Sequence, residues 1–182
     1  MKKIRKIYKI RKTPKNIIRK IKIYNRASRN EFKANMGDLI AHEQFQRLAD
    51  FKQHYKSTRL DHSVDVAYIS FYIAKLLKLD YMSAGKAGLL HDLSFHECEG
   101  FREKLKMLRK HPKDALKNAL AICDLTDKER NIIVRHMWLI TLRPPKHREG
   151  YIVTFVDKYC AAKEFISSIL SRKPVDKAHR FS

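Results

Sequence analysis

The chain has 182 residues, a net charge of +21 and 44% hydrophobic residues, enough for one domain whose core needs no disulfide or metal staple. Five Gly and five Pro exclude a collagenous or wholly disordered chain. Cys98, Cys123 and Cys160 are too few and too scattered for a disulfide framework or a CxxC zinc site, and they read as reduced intracellular thiols in the core. No apolar run reaches the ~20 residues of a membrane-spanning helix, and no apolar core of a secretory signal stands at the N-terminus, so a cytoplasmic location is expected.

Residues 1–30 hold thirteen Lys or Arg and no acid, whereas the remaining 152 hold 27 basic and 19 acidic residues. An arm thus carries most of the excess charge. Ile4, Ile7 and Tyr8, then Ile17, Ile18 and Ile21, are spaced for an amphipathic helix, with Pro14 as a break between them. Such a segment suits peripheral attachment to an anionic membrane surface. It equally suits the phosphates of a nucleic acid, with affinity falling as salt rises. The plainer alternatives are a solvated tail or a strip packed on the body.

From Glu31 onward apolar residues recur at three and four, not two, which predicts an all-α, bundle-like body of about six helices. Phe45, Leu48, Ala49 and Phe51 mark a helix near 39–55, and Val66, Ile69, Tyr72, Ile73, Leu76 and Leu77 mark one near 61–78. A third runs from about Ser83 to His91 with small Ala84, Gly85, Ala87 and Gly88, which let neighbouring backbones come close. Pro112 suits the first turn of a fourth, striped by Ala115, Leu116, Ala119, Leu120 and Ile122. Thr126 and Glu129 form a capping box that starts a fifth, expected to run through Trp138. Pro144 and Pro145 force a break before the last and longest, about Arg148 to Ser171, closed off by Pro174. Nothing alternates as a sheet strand does.

Several polar residues fall where packing alone would place apolar ones. Asp157 lies mid-helix between Val153 and Ala161, where a carboxylate is costly unless a cation or hydrogen bonds satisfy it. His136 is flanked by Ile132, Ile133, Leu139 and Ile140, and His62 shares a face with Val66 and Ile69. His91 and Asp92 end the small-residue helix, and His111 directly precedes Pro112, at or near a helix N-cap. A lone core His is usually just hydrogen-bonded, so the weight rests on the set of four His and two Asp. Imidazole nitrogens mixed with carboxylate oxygens suit Fe, Mn, Co, Ni or Zn rather than an oxygen-only Ca or Mg cage.

His62, His91-Asp92, His111, His136 and Asp157, in that order on successive helices, resemble the H…HD…H…H…D pattern of the HD-domain metal-dependent phosphohydrolases. The strings DHSVDVA, AGLLHD, KHPKDALKNA and the run ending at Asp157 carry the likeness over about residues 40–170. The resemblance leaves the basic arm at 1–30 outside and implies an HD-type hydrolase domain at 31–182. It also implies two divalent transition-metal ions: one held by His62, His91, Asp92 and Asp157, the second by His111 and His136, with Asp92 bridging. A metal-activated water would then attack a phosphate ester or anhydride, in a nucleotide by expectation, and Asp92 would be the central catalytic residue.

Many dinuclear relatives carry a phosphate-binding Lys soon after the HD pair; here Phe95 stands in that stretch. Phosphate contacts are then expected from Lys113, Arg148 and Lys158, with Arg143 and Lys146 as further candidates, each the neighbour of a ligand in sequence or else an ordinary solvated charge. Glu97 or Glu99 offers a general acid, His54 a supporting or substrate-facing ring, and His96 follows the HD pair too loosely to be a ligand. His42, His147 and His179 read as surface, and Trp138 as core. Two other uses of the same ligands are a di-iron HD-type oxygenase and a non-catalytic, nucleotide-sensing HD module.

Overall fold

The computed structural model of the chain describes residues 14–54, 57–96 and 101–170, the side chains of 14–25, 52–54, 101–107, 168 and 170 excepted. The first amphipathic turn around Ile4 and Tyr8, and Cys98, Glu97, Glu99, Pro174 and His179, lie outside the described residues. Eight helices in the described residues make an all-α bundle: α1 (Pro14–Ala41), α2 (Glu43–Gln46), α3 (Arg59–Leu76), α4 (Tyr81–Leu90), α5 (Phe101–Leu120), α6 (Asp127–Arg135), α7 (Trp138–Thr141) and α8 (Arg148–Leu170). Among the described residues, no helix is long and apolar enough to cross a membrane.

The expected 39–55 helix is instead broken. His42 ends α1 and caps α2, its Nδ1 accepting from Gln44 N at 3.2 Å, while Gln46 Nε2 donates back to the Ile40 carbonyl at 2.6 Å. A 3-10 turn (Arg47–Asp50) follows, and then a short antiparallel hairpin of β1 (Lys52–His54) and β2 (Ser57–Thr58). Phe45 and Leu48 are still fully buried, so the periodicity found the inward residues across a discontinuous backbone. Helix α1 itself passes unbroken through residue 30 and buries Ser28, Phe32 and Met36.

Helix α3 is central, packed against α4, α8 and α1. Its start is set by a reciprocal cap: Thr58 Oγ1 accepts from Asp61 N at 3.1 Å, and Asp61 Oδ2 accepts from Thr58 N at 3.1 Å. The α3–α4 approach depends on Gly88, where an added Cβ would stand 3.1 Å from Ala67 Cα. One contiguous core joins Phe32, Phe71, Leu89, Leu90, Ile132 and Val153 across five helices, each such side chain contributing roughly 1.5–3 kcal/mol on burial. A three-way ion cluster ties the far ends together: Lys128 Nζ reaches Asp80 at 3.0 Å and Glu149 at 3.3 Å, and Glu149 also accepts from Asp80 N at 3.1 Å.

Helix α5 differs from expectation, since Pro112 lies inside it rather than in its first turn. The ring deprives the Leu108 carbonyl of a donor, a loss water can serve because Leu108 is half-buried and Arg109 exposed. His111 is therefore a mid-helix residue, not an N-cap.

Candidate metal centre

Five helices bring the six predicted residues to one place. His62 sits in the first turn of α3, His91 and Asp92 at the end of α4, His111 within α5, His136 at the end of α6, and Asp157 near the middle of α8. His62, His91 and Asp157 each offer a ligand atom within 4.8 Å of the others, and so do His91, Asp92 and His136. The rings of His62, His91 and His136 are essentially inaccessible to solvent, at 0%, 0% and 1%.

The sequence prepares two of these rings in the same way. His91 and His136 both cap the C-termini of their helices, and each ring donates its Nδ1–H to the carbonyl three residues back: Gly88 O and Ile133 O, both at 2.7 Å. A carbonyl only accepts, so Nδ1 carries a proton and Nε2 is the atom each ring presents inward. The helix C-termini also bring partial negative charge to the spot, which favours a cation. His91 Nε2 is buried with no hydrogen-bond partner, although Asp157 Oδ1 stands 3.7 Å away and Asp92 Oδ2 3.8 Å. An orphaned, inward-aimed imidazole nitrogen is costly in a protein interior and matches the demand of a cation.

Asp92 faces both halves of the cluster. Its Oδ2 lies toward His91, and its Oδ1 lies 3.2 Å from His111 Nε2 and 3.9 Å from His136 Nε2. The two imidazole nitrogens of His111 and His136 are 2.9 Å apart, about the separation of adjacent corners of an octahedron with 2.0–2.1 Å bonds. The buried His/Asp clusters can thus hold a metal ion by donor type and by spacing.

The electrostatics are balanced by charge pairs. Burial pushes the His62 imidazole down, but the Asp157 hydrogen bond and the charges of Asp92 and Asp157, helped by Glu164, raise it to about 9. His91 is raised for the same reason, Asp92 and Asp157 outweighing its burial. His136 is pushed down to about 3 by burial and by the charges of His91 and His111, which keeps its ring neutral and fit to ligate. Burial works against ionised Asp92 and Asp157, yet the surrounding imidazoles, and for Asp157 also Lys158, hold both carboxyls far below the usual carboxylate range.

Three participants escaped the sequence reading. Glu164, seven residues or about two turns after Asp157 on α8, accepts from His62 Nδ1 at 2.9 Å. His62 Nε2 is thereby turned to Asp157 Oδ1, 3.1 Å away. Glu164 is itself held by the Ser57 hydroxyl at 3.2 Å. This is the carboxylate–histidine arrangement that orients metal-ligating rings. The i+7 spacing from Asp157 was the available signal. Arg59 and Asn118 were also missed: Arg59 grips the carbonyls of Ser94 at 2.6 Å and His96 at 3.0 Å, and Asn118 grips that of Leu93 at 2.9 Å, fixing the segment after Asp92.

The expected phosphate contacts scatter. Lys158 reaches the cluster, its Nζ 2.6 Å from Asp157 Oδ2 and 3.2 Å from Met137 Sδ. Lys113 and Arg143 line a separate groove. Arg148 opens α8, about 13 Å along the axis from Asp157, and the Lys146 backbone N–H donates to Asn131 Oδ1 at 2.9 Å. Phe95 stacks on Phe51 with centroids 5.9 Å apart, and the Arg47 guanidinium lies 4.7 Å over it. His96 is exposed and 3.7 Å from Asp114 Oδ2, while His54 lies in β1 with its side chain outside the described residues. His147 is half-buried, Trp138 stacks edge-on against Tyr151, and Cys160 is buried with its thiol pushed up to about 12 by burial and nearby acids. Compared with known protein families, with curated proteins and with solved structures, the chain finds no match.

Proposed function

We propose that the chain is an HD-type metal-dependent phosphohydrolase that cleaves a phosphate ester or anhydride, with nucleotides as the substrate class. The observation that carries the reading is the convergence of buried His62, His91, His136 and Asp157 with half-buried Asp92 and His111, the His91 nitrogen being left unpartnered among them. His62, His91 and Asp157 would hold one cation and His111 with His136 a second, Asp92 offering one oxygen to each side. Such ions supply positive charge against the phosphate and lower the pKa of water they bind.

The protein's own part is positioning. The Gly88 and Ile133 carbonyls fix two rings in one tautomer, and Glu164 fixes a third. Lys158, half-exposed beside Asp157, places an ammonium at the edge of the cluster where substrate oxygens would arrive. Phosphoryl transfer draws most of its acceleration from such positioning and charge stabilisation.

The test is phosphate or nucleoside release from a nucleotide panel by protein loaded with manganese, iron or zinc. Activity should be lost in His91→Ala and Asp92→Ala. A metal-loaded wild type inert across the panel would overturn the proposal.

A further inference from the structure

Beside the metal centre, but not part of it, α5, α6 and the segment after α7 enclose a groove of about 420 Å³. Arg109 and Lys113, one turn apart on α5, Arg135 at the end of α6, and Arg143 after α7 all line it. No carboxylate lines it, and none of the six His/Asp residues does. Among the described residues, none of the four cations enters an ion pair or a side-chain hydrogen bond. Like charges one helical turn apart repel, so the cluster stands at a cost that an anion would remove. Three of the four are guanidiniums, whose planar forks match phosphate oxygens two at a time.

Pro112, Val134, Ile140 and Leu142 supply an apolar part of the lining. Leu142 is 83% exposed and held at φ 55°, a left-handed conformation a leucine rarely takes, with its N–H donating to the Trp138 carbonyl at 2.7 Å. Backbone strain of this kind collects where a ligand is bound. The volume falls within the range of small-molecule sites. We infer that this groove is a binding site for a small phosphorylated molecule with an aromatic or aliphatic portion, its phosphates among Arg109, Lys113, Arg135 and Arg143 and its apolar part against Pro112, Val134, Ile140 and Leu142. The site is independent of the hydrolase reading, because no ligand of the metal centre contributes to it.

Trp138, the single tryptophan, reports on it from α7, the helix that supplies Ile140 and Thr141 to the lining. The full chain, dialysed free of metal so that turnover is excluded, is titrated with ADP and with inorganic pyrophosphate while Trp138 fluorescence is read. Both should give saturable changes that weaken as salt rises, ADP binding the more tightly through the apolar lining. Arg109→Glu/Arg143→Glu should weaken ADP by at least about tenfold with unchanged helical circular dichroism. Lys113→Glu, a single change at an exposed position, should weaken it in the same direction and serves if the double variant fails to fold. Equal affinity in wild type and groove variants would overturn the inference, as would the absence of saturation or binding lost only in His62→Ala.

Discussion

Removing the Glu164 carboxylate tests whether the His62 ring is held ready for a cation. The ring is fully buried, its Nδ1 lies 2.9 Å from Glu164 Oε1, and the Glu164 side chain is 15% exposed, so water can replace little of what is lost. Partners that orient a ligating His are typically worth about 10–100-fold in metal affinity, or about 1.4–2.7 kcal/mol. Glu164→Ala, which abolishes the acceptor, should approach the upper figure. Glu164→Gln keeps a carbonyl oxygen in reach of Nδ1–H but not the charge, and should lose about tenfold. Zinc affinity measured by competition with a chromogenic chelator reads both, with circular dichroism as the folding control. Unchanged affinity in Glu164→Ala, or a Gln variant weaker than Ala, would refute the reasoning.

Other parts of the structure are equally open to measurement. Gly88→Ala would drive a methyl against the Ala67 backbone at 3.1 Å; the overpacking cost of about 1–3 kcal/mol should exceed the ~1 kcal/mol propensity gain, and a variant at least as stable as wild type in urea would contradict this. Elemental analysis of protein saturated with zinc should give two equivalents per chain, whereas one equivalent would remove His111 and His136 from the ligand set. Asp80 and Glu149 are both held below their ordinary values: burial opposes this, but N–H donors and Lys128 prevail. Their stabilisation is therefore complete above their unfolded-state values, near pH 4, and is lost as pH falls through the lower folded-state values. Glu149→Gln should flatten that acid-side fall in the urea midpoint, and parallel pH profiles would count against the cluster.

The all-α architecture was legible because buried stripes repeat every three to four residues, and the Thr126–Glu129 cap is found as read: Thr126 Oγ1 accepts from Glu129 N at 3.2 Å and Glu129 Oε2 from Thr126 N at 2.8 Å. The meeting of six polar residues was legible for a similar reason, since a carboxylate among Val153, Val156 and Cys160 demands compensation. Helix ends were harder. Expected to reach Trp138, α6 stops at Arg135 because the His136 ring spends its Nδ1–H on the Ile133 carbonyl, a side-chain event that hydrophobic spacing does not register. Glu164 was missed because a partly exposed acid near the end of a long helix looks like ordinary solvation until His62, 102 residues earlier, is seen against it. The basic residues misled in the opposite sense: closeness in sequence to a ligand put Lys113 beside His111, but two helical residues on is a turn of about 200°, toward another face.

The hydrogen bond from His62 to Asp157 joins positions 95 residues apart, whereas the His91 and His136 rings are seated by carbonyls only three residues away. Half of the constellation is thus encoded locally and can take shape with its own helix, while the other half exists only once α8 has docked on α3. A cation spanning the two halves would act as a clasp on the fold, so chelation should loosen the bundle first at the α3–α8 seam.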